Sequence, residues 1–216
     1  APADELVCVV AASEAHSQAN IRRSQADSVA LVARAAAGRD ALAPGKLVNA
    51  GIAMALGCSI SGVVDPQDVL RLAGACLDAG ADIVGIADTV GYAGPRQVGQ
   101  LCAAMDRLCD GRPFIVHLHD TRGMGIANAA AALDNGARVL DGALGGLGGC
   151  PFAPGATGNV AFEDLVFLCE TMGFATGIDL KALIPVRDIA ATEMPDETLF
   201  GAIARSGPPP NMPWQA

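Results

Sequence analysis

The sequence predicts an α/β fold built on a parallel sheet, and three observations lead there. Strand-like apolar runs alternate strictly with helix-like runs, and strand starts fall about 25–40 residues apart, as crossover helices between parallel strands require. Alanine and glycine dominate while aromatics make up only 4%, which suits close packing of helices on strands. Polar residues collect at the carboxyl ends of the strand-like runs: Ser13 and Glu14, Asn49, Asp88 and Thr89, His117 and His119. Five βα units fit either an open doubly wound sheet or part of a (β/α)8 barrel. The polar clustering favours the barrel, whose active sites are built at that end. Such a barrel usually takes about 250 residues, so this chain is short by roughly three units.

Taken in order, residues 6–10 (LVCVV) read as a buried strand, and an Ala-rich helix is expected from Asn20 to Gly38. A second strand covers 46–54, followed by a loop, Gly57–Gly62, that carries Cys58. Asp65 as N-cap and Pro66 at the first helical position start a helix that runs to Gly80. The third strand is 82–87, with Asp88 and Thr89 at its end, and Gly94-Pro95 opens a helix to about Asp110. The fourth strand is Phe114–Asp120 and leads to a helix from about Gly123 to Gly136; the fifth is 139–143. A glycine-rich stretch, 143–159, ends in Asn159, which is expected to begin a helix through Met172, and Asp179 caps another. The division expected is a barrel portion over 1–194 and a weak helix with a Pro-rich, loosely attached tail over 195–216.

The totals exclude several classes of protein. Hydrophobic residues make up 51%, which describes a folded chain with a substantial core. Net charge is −9 and the cations are scattered, which argues against a nucleic-acid surface. No apolar run reaches the roughly 18 residues that span a bilayer, and the N-terminus has no signal-peptide pattern, so no membrane partner is expected. Seven cysteines form no CxxC pair and mostly fall on apolar faces; the expected reading is reduced core thiols in a cytoplasmic protein.

The chemistry concentrates at 114–159. His117 and His119 lie two apart on a strand, so both imidazoles point to one side. Imidazoles with amide and carboxylate oxygens suit a divalent ion such as Mg²⁺ or Mn²⁺, and no thiolate cluster indicates structural zinc. Either histidine alone would more often be an ordinary structural residue, and Asn159 alone would more often be a helix cap. Asp120 points away from the pair by the same alternation, and Asp88 serves as a base, an orienter of a ligand histidine or a cap on its own loop.

The runs 117–123 (HLHDTRG) and 145–159 (GGLGGCPFAPGATGN) resemble 3-hydroxy-3-methylglutaryl-CoA lyase. Ala12-Ser13-Glu14, Ala55–Cys58 and Ala87–Gly91 support the likeness, which extends over about residues 5–190 and in the family's order. The resemblance implies a metal-dependent TIM-barrel lyase in which His117, His119 and Asn159 hold Mg²⁺ or Mn²⁺. It also implies that Cys150 exchanges a proton with the carbanion and that Asp88 is catalytic. Ser13, Glu14 and Thr89 are then expected at the rim facing an acyl-CoA substrate, and a homodimer is compatible with the family. The synthases that make isopropylmalate or homocitrate share the HxH pair but lack the GlyGlyCysPro loop.

By that likeness the strands here are the fourth to eighth of the barrel. The first three, roughly 90 residues, and the family's Arg-Asp motif on the first strand, are absent. The expectation is a longer chain that supplies them, because a barrel without its first strands exposes two sheet edges. The competing reading is a non-catalytic barrel remnant that binds or assembles. Ser59-Ile60-Ser61 also departs from the Pro-Tyr-Glu of animal-type lyases, so the motifs leave the acyl group open between 3-hydroxy-3-methylglutaryl-CoA and a relative such as citramalyl-CoA.

Overall fold

A computed structural model describes residues 3–148 and 158–210. Five parallel strands, β1 (Glu5–Ala11), β2 (Leu47–Ala53), β3 (Ile83–Asp88), β4 (Ile115–Leu118) and β5 (Val139–Asp141), pair in sequence order. No strand order reverses. That is the arrangement of a section of a (β/α)8 barrel, whereas a doubly wound sheet reverses at its switch point.

Helices α2 (Gln25–Leu42), α3 (Pro66–Asp78), α4 (Pro95–Cys109) and α5 (Gly125–Asp134) make the crossovers. Side chains of even parity on the strands (Val10, Ile52, Ile86, Val116 and Leu118 among them) join one buried core with Val69, Leu72, Cys102 and Met105 of the helices. The opposite face is lined by small residues in register: Gly51 beside Gly85, then Ala87 beside His117. A Cβ on Gly85 would stand 3.3 Å from the Ile115 Cβ, so the rows on this face pack closely where they lack side chains. His117 therefore rises from a floor of small residues.

Three sequence expectations need correction. The helix expected over Asn20–Gly38 is two helices, α1 (Glu14–Ile21) and α2, because Arg22 turns left-handed (φ 54°) and Ser24 caps a new start by accepting from the Asp27 N–H. The histidine strand stops at Leu118, so His119 lies just beyond it, in an isolated bridge with Asn159. Asn159 begins no helix: α6 (Phe162–Thr171) starts after Ala161, and the Asn159 amide is engaged elsewhere. Ahead of the Pro-rich tail, Asp164 of α6 accepts from the Ala202 and Ile203 N–H groups at 2.8 Å each. Helices α7 (Leu180–Glu193) and α8 (Ile203–Ser206) complete the described chain.

Candidate metal-dependent active site

The carboxyl ends of β3, β4 and β5 bring the histidine pair to one place. The ring centroids of His117 and His119 are 5.2 Å apart, inclined at 67°. His117 is the register partner of Asp141 on β5, and its Nδ1 is hydrogen-bonded to the Asp141 carboxylate. That contact fixes the ring orientation and leaves Nε2 available as a ligand atom. His119 is buried, and among the described residues its Nδ1 has no hydrogen-bond partner. Burial, reinforced by the neighbouring His117 and opposed by Asp141, holds its pKa down to about 4, so the imidazole is neutral at ordinary pH.

Asn159 is brought to the same place by backbone pairing. Its N–H donates to the Gly148 carbonyl at 3.1 Å, and its Nδ2 donates to the Leu147 carbonyl at 2.6 Å. The amide nitrogen is thus occupied by the start of the glycine-rich stretch, and its oxygen keeps acceptor capacity. Among the described residues, no group of three or more His, Cys, Asp and Glu side chains gathers to hold a metal ion. A neutral, buried imidazole with an unpartnered nitrogen, a second imidazole oriented by a carboxylate, and an amide oxygen nevertheless fit a divalent cation. Cys150 lies outside the described residues.

Asp88 is not joined to the histidines by register. It pairs with Leu118, and its carboxylate accepts from the Tyr92 and Ala93 N–H groups at 2.9 and 3.0 Å. Burial raises its pKa, and those two bonds oppose the rise. The turn that it caps nevertheless bears on the site, because Gly91 (φ 61°) packs so closely that a Cβ there would stand 3.2 Å from the His119 carbonyl. Arg122 ties the same turn to the β4–α5 connection: its Nη1 donates to the Val90 and Gly91 carbonyls, and the guanidinium lies over the Tyr92 ring at 4.7 Å. Thr89 is used structurally as well, accepting from the N–H of Met54, which has φ 57°.

The rim residues divide. Ser13 caps α1, accepting from the His16 N–H at 3.2 Å, and also accepts from the Ser61 hydroxyl at 3.0 Å. Burial pushes the Cys58 thiol up, but hydrogen bonding with the Ser13 and Ser61 hydroxyls and the Ser61 and Ile60 N–H groups outweighs it, leaving the pKa below the usual thiol value. Glu14 points elsewhere, accepting from Gln18 and from the Gln25 N–H at the start of α2. Asp120 accepts from the Gly125 N–H at 2.6 Å and so anchors the start of α5. Sequence reasoning missed Asp141. The signal was available, since an acidic residue in the strand after the histidine strand becomes its cross-strand neighbour in a parallel barrel.

Of the described residues, no helix is long and apolar enough to cross a membrane. The described cysteines, Cys8, Cys58, Cys76, Cys102, Cys109 and Cys169, are free thiols; burial pushes Cys76 up to about 11 and Cys102 up to about 12.

Comparison with known proteins agrees with the fold. The chain is 43% identical over 203 residues to the (R)-citramalyl-CoA lyase of Chloroflexus aurantiacus, covering 93% of this chain and 62% of that protein. It is 38% identical to the hydroxymethylglutaryl-CoA lyase of Pseudomonas mevalonii, covering 84% and 60% respectively. An HMG-CoA lyase structure from Acinetobacter baumannii, in complex with coenzyme A and 3-methylmalate, superposes with a TM-score of 0.88 at 36% identity, covering 97% of this chain and 68% of that one. The chain thus spans about three fifths of the length of these curated relatives. The HMGL-like family model matches residues 1–190, and the chain belongs to the HMGL-like family.

Proposed function

We propose that this chain carries the metal-binding part of a lyase that splits a 3-hydroxy-3-methyl dicarboxylic acyl-CoA, 3-hydroxy-3-methylglutaryl-CoA, into acetyl-CoA and acetoacetate. The observation that carries the reading is the His117–His119 pair, one ring oriented by Asp141 and the other neutral with an unpartnered nitrogen, beside Asn159. His117, His119 and the Asn159 side-chain oxygen would hold a divalent cation, Mg²⁺ or Mn²⁺, which when bound supplies Lewis acidity at the substrate's hydroxyl and carbonyl oxygens.

Each residue then has a defined task. The two imidazoles and the amide would place the substrate's tertiary hydroxyl only through the cation that they hold. As that hydroxyl passes its proton to a general base, its oxygen forms a carbonyl, the adjacent C–C bond breaks, and the electron pair passes to the thioester enolate. Cys150 Sγ delivers a proton to that carbanion and completes acetyl-CoA. The glycine-rich stretch that carries Cys150 excludes water, which would otherwise quench the enolate. Asp88 acts on the site through the turn that it caps, which backs the His119 main chain.

A second substrate reading, (R)-citramalyl-CoA, is favoured by the 43% identity to the Chloroflexus aurantiacus lyase. The two acids differ by one methylene between the tertiary carbon and the free carboxylate, and one methylene in a pocket is worth about 10–200-fold in selectivity. The deciding experiment is a coupled assay of the full-length protein on both thioesters, with Mg²⁺, with Mn²⁺ and with chelator. Cleavage of either that is lost on chelation and lost in Cys150→Ala and His119→Ala is the expected result. Near-wild-type turnover in both variants removes these residues from the mechanism, and the ratio of kcat/KM values assigns the acyl group.

A further inference from the structure

Glu163 on α6 is completely buried, and its carboxylate reaches the start of the glycine-rich stretch. Its two carboxylate oxygens accept from the same donor, the Gly145 N–H, at 2.9 and 3.2 Å. Arg187 of α7 brings its Nε to 3.3 Å from that carboxylate, an ion pair without a hydrogen bond, while its Nη2 donates to the Phe200 carbonyl at 2.8 Å. The Phe200 N–H donates in turn to the Gly145 carbonyl at 2.7 Å. Both backbone polar groups of Gly145 are therefore held, its N–H by the buried carboxylate and its carbonyl by the segment after α7. We infer that Glu163 and Arg187 form a positioning clamp that fixes the backbone of Gly145–Gly148 against Asn159, and so sets the position of Asn159 for turnover.

Three features support a device that sets geometry. A buried carboxylate without a partner is costly, and the guanidinium meets that cost while also reaching a second acceptor. Gly145 has φ 59°, and a Cβ there would meet Leu199 at 3.0 Å and Arg187 Nε at 3.4 Å, so the clamp closes on a residue that must lack a side chain. Beyond it, Gly146 runs so close that a Cβ would lie 2.8 Å from the Asn159 carbonyl, and Leu147 and Gly148 give their carbonyls to Asn159. The clamp thus acts on a proposed ligand through three intervening residues. Its catalytic consequence rests on the lyase reading above; the mechanical one does not.

The test uses the full-length protein and the variants Arg187→Met, Arg187→Lys and Glu163→Gln. Hydrogen exchange of the 144–148 amides is followed beside that of the β2 amides, together with kcat and KM on the cleaved thioester. In Arg187→Met the 144–148 amides are expected to exchange about tenfold faster while β2 is unchanged. The kcat should fall on the order of ten- to a hundredfold with KM within about threefold, since misplacement of about 1 Å costs that much. Arg187→Lys should fall between wild type and Arg187→Met, and it carries the same test if Arg187→Met does not fold. Unchanged exchange at 144–148 overturns the clamp, and faster exchange with unchanged kcat overturns its positioning role. If the wild-type protein cleaves neither thioester, the reaction assignment fails, and the exchange measurement alone still decides the clamp.

Discussion

His117 and Asp141 are register partners on adjacent parallel strands, and the imidazole Nδ1 is hydrogen-bonded to the carboxylate. A carboxylate in that position selects the tautomer and aims Nε2, and removing such a partner typically lowers metal affinity or activity about 10–100-fold. Asp141→Asn is expected to weaken Mn²⁺ binding by that factor, read by titration calorimetry, with the fold intact by circular dichroism. His119→Ala should abolish the tight Mn²⁺ site. Unaltered binding in both variants would place the cation elsewhere.

The depressed pKa of His119 has a stability consequence with a definite sign. The folded value is about 4 and the ordinary value 6.5, so between these pH values the unfolded chain binds the extra proton. Stability contributed by the neutral ring is present above 6.5 and drains away as pH falls toward 4, with an upper bound of about 3 kcal/mol. Urea unfolding of the metal-free protein at pH 7 and pH 4.5 should show this loss. In His119→Gln the difference between the two pH values should shrink by most of that amount.

Gly158 adopts φ 125°, and a Cβ built there would run into the Gly146 carbonyl oxygen and lie 2.8 Å from the Gly148 carbonyl oxygen. Neither neighbour is a flexible side chain, so the backbone itself would have to shift. Gly158→Ala is expected to cost about 1–3 kcal/mol from the left-handed backbone alone. The adjoining Asn159 should be displaced, with weaker Mn²⁺ binding than wild type. An alanine variant with wild-type Tm and metal affinity would contradict this account of how Asn159 is placed.

What the sequence made legible was decided by short-range chemistry. Strand and helix order followed from apolar periodicity and from caps such as Asp65-Pro66; the strand alternation invoked for His117 and His119 stops at Leu118, although their rings lie 5.2 Å apart. The break between α1 and α2 was harder to read, because it depends on a left-handed arginine followed by a serine cap, and arginine carries no such signal by itself. The role of Asn159 was half visible. Its placement beside the histidines matched the motif, but its amide bonds the Leu147 carbonyl twelve residues back, a contact that no local rule predicts. Glu163 was hidden for the same reason. An acidic residue in the first turn of a helix looks like an exposed partner of the helix dipole, and only the tertiary packing buries it against Gly145.

Asp88 provides the last prediction, because its position separates two roles that the sequence could not. Its carboxylate spans two backbone N–H groups, of Tyr92 and Ala93, in a buried setting. An asparagine there offers one acceptor oxygen and turns an NH₂ toward the other N–H, leaving a buried donor facing a donor. Asp88→Asn should therefore cost about 1–3 kcal/mol, read from urea unfolding. The loosened turn carries Gly91, which packs on the His119 main chain, so kcat should fall along with stability. Asp88→Glu, which keeps both acceptors but lengthens the side chain, should recover part of the stability and little of the rate. If Asp88→Asn instead retains wild-type stability and loses turnover entirely, the carboxylate meets the substrate's proton directly, and the turn is incidental to its role.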